Sequence, residues 1–458
     1  MPTKPDEVGG SHALSAEAAS PATPADEAPF LRVRDLRVHF SLRGGLLARL
    51  FGRESASVKA VDGVSFDLRR GEVLGLVGES GSGKTTLGRA LLGLTPATGG
   101  SIQVGGTEIV GRSERRLRPM RRRLQMVFQD PHAALNPAMD IATAVAHPLK
   151  IHKITSSAEQ TRARVAAALE TVGLTPPERF LTQLPANLSG GQKQRAVIAR
   201  AAVLEPELLV ADEPVSMLDM SVRAKILQLM QDLRDRLGLT YVYITHDLAT
   251  AKLFCDRVAI MYLGRVVEIG PTDEIFAHPR HPYTRALLAA IPEPGEVTDV
   301  PRDLPRGEVP DAVRPPAGCS FHPRCPRAFA PCGWEGRDLA AALEVRWATL
   351  RPETYDAERG LVGDLAALDQ PGRTIRVRPP HEIAPEDLLA LLEKVRSDAP
   401  EERFWLGVES MRVDDGSVVV ELAEAVDPAL LRAGGAEIAC HLYDPRLAAL
   451  APAGDRTS

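Results

Sequence analysis

The stretch Gly78-Glu79-Ser80-Gly81-Ser82-Gly83-Lys84-Thr85 sets three glycines, a lysine and a hydroxyl in the pattern G-x-x-x-x-G-K-[ST]. Glycines let a backbone wrap phosphates closely, a lysine reaches β- and γ-phosphates, and a threonine hydroxyl can ligate Mg²⁺. The pattern needs a strand before it and a helix after it. The apolar run Val73 to Val77 precedes it and a helical pattern from Thr86 to Leu92 follows. The bland alternative, a glycine-rich turn that happens to end in Lys, accounts for neither flank. Gly78 to Thr85, with Thr86, are therefore the expected holders of a nucleoside triphosphate.

Two carboxylates, Asp212 and Glu213, end the run Leu208-Leu209-Val210-Ala211, which has no polar alternation. Such a run fits a strand buried on both faces of a parallel sheet, and ligands of open α/β sheets bind at the carboxyl ends of the strands. Asp212 would hold Mg²⁺ through water, and Glu213 would act as general base toward the attacking water. A solvated strand end is the competing account. Gln129, in Val127-Phe128-Gln129-Asp130-Pro131, carries an amide able to approach both Mg²⁺ and that water. His246 ends the strand expected from Tyr241 to Thr245, where an imidazole can bond the γ-phosphate and hold the nucleophile. Singly, a Gln in a loop and a His at a strand end are usually structural. Leu188-Ser189-Gly190-Gly191-Gln192 is followed by the basic Lys193-Gln194-Arg195. With a helix beginning near Gln192, its N–H groups and positive end would face outward toward phosphate oxygens. A Ser-Gly-Gly loop capping an ordinary helix is the alternative. Phe40 is placed either to stack on adenine or as an ordinary core aromatic of an alternating strand.

In order and spacing these elements, with Asp219 of Ser216-Met217-Leu218-Asp219 as D-loop acid, resemble one complete cassette of the ATP-binding cassette (ABC) ATPases. The resemblance implies an α/β, ABC-type P-loop NTPase: a RecA-like core, an antiparallel β-subdomain and a helical subdomain at about 132–187. It also implies ATP and Mg²⁺ as ligands. Water would attack the γ-phosphoryl in line, with catalysis mostly positioning and charge stabilisation. Catalysis is expected from Glu213, His246, Gln129 and Lys84. Ser189, Gly190, Gly191, Gln192 and Asp219 would contact nucleotide across a head-to-tail pair of ATPase subunits.

The cassette must be positioned by elements that the remaining sequence describes unevenly. Residues 1–29 are rich in Ala, Pro, Ser and acids, and are expected to be disordered. The alternation Leu31, Val33, Leu36, Val38, Phe40, and then Val58 to Leu68, predicts a small β-subdomain. Leu42 to Arg53 is a short basic, apolar insertion, expected as a loop rather than a membrane-surface segment. The arginine-rich Arg112 to Arg123 is expected as a solvated helix or loop. Ala158 to Val172 has apolar residues at helical spacing. The chain has 458 residues, 44% apolar and 25% charged, with net charge −5. These values suit a globular protein of two or three domains and carry no nucleic-acid footprint. No apolar run is long enough to span a bilayer and no secretory leader is evident, so the expected place is the cytoplasm.

Beyond 277, His278-Pro279-Arg280-His281-Pro282-Tyr283-Thr284-Arg285-Ala286-Leu287-Leu288 resembles the C-terminal extension of oligopeptide/dipeptide importer ATPases. Asp130-Pro131 with Ala134-Leu135-Asn136-Pro137, and Leu87-Gly88-Arg89, are similar to the second ATPase of the pair that such importers carry. The resemblance implies a second ATPase as heterodimer partner, two transmembrane permeases, an extracytoplasmic solute-binding protein and a position at the cytoplasmic face of the cell membrane. Related systems carry nickel or other small solutes, so the substrate stays open. ATPases of DNA repair split the cassette with a coiled coil, and ribosome-associated ones carry two cassettes; this chain has one uninterrupted cassette, and no nucleic-acid partner is expected.

Of five cysteines, Cys255 follows Leu253-Phe254 and reads as a core residue. The other four, Cys319, Cys325, Cys332 and Cys440, resemble the family's ligands for a [4Fe-4S] cluster, and four thiolates is the right number. A structural zinc site recruiting His322 or His441, and plain buried thiols, remain as alternatives. About a hundred residues separate Cys332 from Cys440, more than the family's short link. This insertion, about 333–436 within a C-terminal domain of 278–458, is expected to fold as a small α+β element. It should hold a strand at Thr374 to Val377, a helix at Pro385 to Val395, and strands at Phe404 to Val413 and Val418 to Leu422 turning near Asp415-Gly416.

Overall fold

Runs of consecutive apolar residues build the centre of the molecule, because a strand covered on both faces sends alternate side chains into two cores. In the computed structural model of the protein, which describes residues 28–42, 57–290, 307–370 and 372–455, this happens in an eight-stranded sheet. Its parallel part is Arg257–Tyr262, Val73–Val77, Thr240–Thr245, Leu208–Asp212 and Leu124–Val127, in that spatial order. Leu74, Leu76, Leu208, Val210, Val242 and Ile244 fall in one core, under the helix Lys84–Leu91 and the β-subdomain. Val73, Val77, Leu209, Ala211, Tyr241 and Tyr243 fall in the other, shared with the helices Gly190–Ala202, Met220–Leu237 and Leu248–Phe254. The expected tail lies outside the described residues up to 27, as does the insertion from 43 to 53.

The β-subdomain is an antiparallel sheet ordered Ser57–Leu68, Leu31–Ser41, Gly99–Val104, Thr107–Glu108. Its first strand loses strict alternation at Asp35, which has φ 44°, where the pairing register shifts between Val33 and Leu36. This bulge moves Leu36 back onto the core face, so Leu31, Val33, Leu36 and Val38 are all buried. Between 132 and 187 the chain is helical as expected, with Ile141–Ile151 capped by Asp140 and Ala158–Thr171 capped by Ser157. The arginine-rich stretch forms two short helical turns, Glu114–Leu117 and Met120–Arg122, that bury only Leu117 and Met120.

The C-terminal region is fastened to the cassette in two places. The strand Arg265–Pro271 pairs antiparallel with Ala436–Ile438, which pairs with Leu431–Ala433, so two late strands extend the cassette's own sheet. Glu268, on that edge, is fully buried and accepts hydrogen bonds from the backbone N–H groups of Arg280 at 2.9 Å and His281 at 3.0 Å. Those two bonds fix the start of the helix Pro282–Ala289, which His281 caps.

Between these attachments lies a three-stranded sheet ordered Thr374–Val377, Ser417–Leu422, Val408–Asp414, with the helix Pro385–Asp398 packed on it. Its hairpin turns at Asp415 and Gly416 with φ 45° and 67°, the two positive angles that a two-residue turn matching strand twist requires. The strand expected to begin at Phe404 begins instead at Val408. Residues Arg403–Gly407 form a 3₁₀ turn, because the adjacent Phe404 and Trp405 are both buried and a strand would have sent one of them outward. Phe404 packs edge-on against Trp334, whose indole also lies where a side chain on Gly407 would sit.

Candidate functional site

The loop between Val77 and Lys84 can take its shape only with glycine at two positions. A Cβ on Gly78 would lie 2.2 Å from the Met261 carbonyl oxygen, and one on Gly83, at φ 97°, would lie 2.0 Å from that of Ala60. Gly83 caps the helix Lys84–Leu91 with no side-chain bond, leaving the donors of its first turn for an anion. The Lys84 ammonium turns back into the loop, donating to the carbonyls of Gly78 and Glu79 at 2.8 Å each and to Ser82 Oγ at 3.3 Å. Burial pushes its pKa down, opposed by the carboxylates of Glu213, Asp212 and Glu79. Ser80 and Gly81 are exposed at the loop's outer side, and Thr86 is half-buried in the helix.

Across the loop, Asp212 ends its strand with the carboxylate accepting from Thr85 Oγ1 at 3.0 Å. A hydroxyl and a carboxylate so paired fit two positions around a hydrated Mg²⁺. Burial pushes the Asp212 carboxyl up, while the Thr85 hydrogen bond pulls it down. Glu213 takes a left-handed conformation, φ 47°, and its N–H donates to the Ile244 carbonyl at 2.9 Å. This sharp departure from the strand turns the carboxylate to bridge two groups: Oε1 lies 3.0 Å from His246 Nδ1, and Oε2 accepts from Gln129 Nε2 at 2.9 Å. The Glu213 side chain is 16% exposed and that of His246 58%, so the bridge opens on one side to solvent. Lys84, Thr85, Asp212, Glu213, Gln129 and His246, spread over more than 160 residues, are thus gathered at adjoining strand ends.

The other expected residues stand apart. Ser189 accepts from the Gln192 N–H at 3.4 Å while the Gln192 side chain accepts from the Ser189 N–H at 2.9 Å, a reciprocal cap that starts the helix at Gly190 rather than near Gln192. Gly191 lies against Val222, where a Cβ would be 2.6 Å from its Cγ1, so this helix start abuts the helix that Asp219 begins. Asp219 caps that helix, and the Val222 N–H holds its exposed carboxyl below the ordinary range. Phe40 is 45% exposed, which removes the core-aromatic reading and leaves its ring available at the surface.

Cys255 is buried in the core as expected, beneath Gly75. Of Cys319, Cys325, Cys332 and Cys440, the first is tied to the third by its N–H, which donates to the Cys332 carbonyl at 2.9 Å, and burial pushes the thiols of Cys325 and Cys332 well up. Burial pushes the Cys319 thiol up to about 11 and that of Cys440 up to about 12. Among the described residues, however, no group of three or more His, Cys, Asp or Glu side chains is arranged to hold a metal ion. This supports neither the expected cluster nor the zinc alternative. His322 has both ring nitrogens committed, Nδ1 to the Cys319 carbonyl at 2.9 Å and Nε2 to Asp338 at 3.3 Å.

Sequence reasoning missed Tyr283 and Arg324, both of which bond Glu79 of the phosphate loop. Tyr283 stands in the quoted His-Pro-Tyr-Thr stretch, but nothing in the sequence pointed it toward a loop some two hundred residues earlier.

The family described as ABC transporter matches residues 61–216, and that described as oligopeptide/dipeptide transporter, C-terminal region, matches residues 267–332. A Brucella ovis protein provisionally named a peptide import ATP-binding protein is 47% identical over 306 residues, 67% of this chain and 92% of that protein. A Brucella abortus protein with the same provisional name is 47% identical over 314 residues, covering 68% of this chain and 89% of that protein. The solved post-hydrolysis dimer of the ATP-binding cassette MJ0796, bound to ADP and Pi, is 29% identical, with TM-score 0.46, over 53% of this chain and 98% of that one.

Proposed function

Since the chain belongs to the ABC transporter ATP-binding family, with the oligopeptide/dipeptide C-terminal region, we propose that it is the ATP-hydrolysing subunit that powers import of di- or oligopeptides. The observation that carries the catalytic part is the Gln129–Glu213–His246 bridge beside Lys84 and the Thr85–Asp212 pair. Glu213 takes the proton of the attacking water, His246 and Gln129 hold that water and the γ-phosphate in line, and Lys84 leaves its loop carbonyls for the phosphate oxygens. Thr85, Asp212 and Gln129 would hold Mg²⁺, which would supply charge neutralisation at the phosphates. Phe40 stacks on adenine. Ser189, Gly190, Gly191, Gln192 and Asp219 act on the nucleotide of a second ATPase subunit in a head-to-tail pair.

Residues 30–277 make the ATPase and 278–458 the C-terminal domain. The partners are a second, non-identical ATPase, two permeases and an extracytoplasmic solute-binding protein, which place the chain at the cytoplasmic face of the cell membrane. No helix among the described residues is long and apolar enough to cross a membrane, so attachment would run through the permeases. The peptide substrate rests on the names of the relatives. Uptake of labelled dipeptides and of nickel, compared in cells with and without this chain, separates the two solute classes; loss of nickel uptake alone would overturn the peptide assignment.

The [4Fe-4S] cluster is part of the same proposal, with Cys319, Cys325, Cys332 and Cys440 as ligands. Its support is the resemblance of these four cysteines to the family's ligand set and their number, together with the Cys319 N–H that donates to the Cys332 carbonyl at 2.9 Å.

A further inference from the structure

Glu79 is the second residue of the phosphate loop, yet both its backbone and its side chain are held from beyond residue 277. Its N–H donates to the Tyr283 hydroxyl at 3.0 Å, and its carboxylate oxygens accept from Arg324 Nη1 at 3.1 and 3.3 Å. The Arg324 side chain is 11% exposed and that of Glu79 29%, so the pair is shielded far better than ordinary surface ion pairs. The guanidinium lies 5.8 Å above the Tyr262 ring and 6.0 Å above that of Phe321. Tyr262, Tyr283 and Phe321 pack on one another with ring centroids 4.8 to 5.3 Å apart. Behind this aromatic block, the carbonyl of Met261 closes against Gly78. The wall of the loop is therefore built by the C-terminal region as much as by the cassette.

We propose that Arg324 and Tyr283 are positioning residues of the nucleotide site, neutralising and orienting Glu79 so that the loop accepts a triphosphate. The inference rests on reading Gly78 to Thr85 as the ATP site. Glu79 already acts electrostatically on Lys84, alongside Asp212 and Glu213. Left unpaired, its carboxylate would repel the incoming phosphates and compete for the ammonium that must reach them. Arg324 removes both effects by pairing with it. Tyr283 fixes the backbone of the same residue, and thereby the carbonyl of Glu79 on which Lys84 rests before nucleotide arrives. Because Arg324 immediately precedes Cys325, the order of the cysteine element and the charge of the phosphate loop are tied through one side chain.

The test is equilibrium binding of a slowly hydrolysed ATP analogue with Mg²⁺ to the full chain, with thermal midpoints recorded alongside. Arg324→Met should raise Kd at least about fivefold, the low end of coupling between linked sites, and Arg324→Lys should recover part of it. In a Glu79→Gln background the same Arg324→Met change should shift Kd by less than about twofold, because there is no carboxylate left to neutralise. Tyr283→Phe should raise Kd in both backgrounds. If Arg324→Met lowers the thermal midpoint equally in both backgrounds while Kd stays within about twofold of wild type, Arg324 is only a fold contact and the inference fails. Should Arg324→Met not fold, the Lys and Phe variants decide the matter on the same criterion. A wild-type chain that binds no ATP would instead remove the ATP-site reading itself.

Discussion

Replacing Glu213 with Gln keeps the side chain's shape and removes its capacity to take a proton. In the structure the carboxylate bridges His246 Nδ1 at 3.0 Å and Gln129 Nε2 at 2.9 Å. An amide there keeps one acceptor, and Gln129 can turn its own amide to offer an oxygen, so the bridge survives. A neutral hydrogen bond lost in the exchange would cost about 1 kcal/mol, roughly a fivefold effect. Loss of a general base costs about 10² to 10⁴ in rate, or about 3 to 5 kcal/mol of transition-state stabilisation. The second effect is larger, so it decides the outcome. Phosphate release by the chain assembled with its partner ATPase and permeases should show kcat down at least about a hundredfold with KM for ATP within about threefold of wild type. A fall in kcat of less than about tenfold would refute Glu213 as the base and leave it a bridging residue.

Two further outcomes follow from buried groups. Burial pushes the His281 imidazole down to about 3, so it is neutral in the folded chain while the unfolded chain protonates it near its ordinary value. Its contribution is therefore whole above about pH 6.5 and lost as pH falls toward 3, at up to about 1.4 kcal/mol per pH unit. His281→Asn, which keeps a cap for the Tyr283 N–H, should show a shallower fall in denaturant midpoint between pH 7 and 5 than wild type; parallel curves would refute this. Anaerobically purified protein should contain about four irons and four acid-labile sulfides per chain, lost in Cys440→Ser. Protein that carries zinc, or no metal, would remove the cluster and leave the ATPase intact.

The cassette was legible because its chemistry is local. Gly78 to Thr85 needs a particular backbone path, and the doubly buried strands announce themselves as unbroken apolar runs such as Leu208 to Ala211. The hairpin at Asp415-Gly416 was legible for the same reason, since two positive φ angles restrict the residues allowed. What stayed hidden depends on partners distant in sequence. Phe404 and Trp405 alternate with nothing, because both are buried in a turn, Phe404 against Trp334 and Trp405 against Phe404. The strand at Ala436–Ile438 is too short to show a period of two. The Glu79 contact to Arg324 spans 245 residues, and no local pattern encodes it. The helix start at Gly190 was misplaced by two residues because the reciprocal bonds of Ser189 and Gln192 draw both glycines into the first turn.

The late strand on the cassette's sheet also sets a timetable for synthesis. Glu268 pairs with Ile438, so about 170 further residues must be made before the strand Arg265–Pro271 receives its neighbour. At about 5 to 20 residues per second, the nascent cassette waits some ten to thirty seconds with that strand's outer backbone groups unpaired. An open edge of this kind invites pairing with another chain. The Glu268 side chain has its partners early, since the N–H groups of Arg280 and His281 that it accepts from lie only 12 and 13 residues on, but the backbone edge stays open until Ala436–Ile438 covers it.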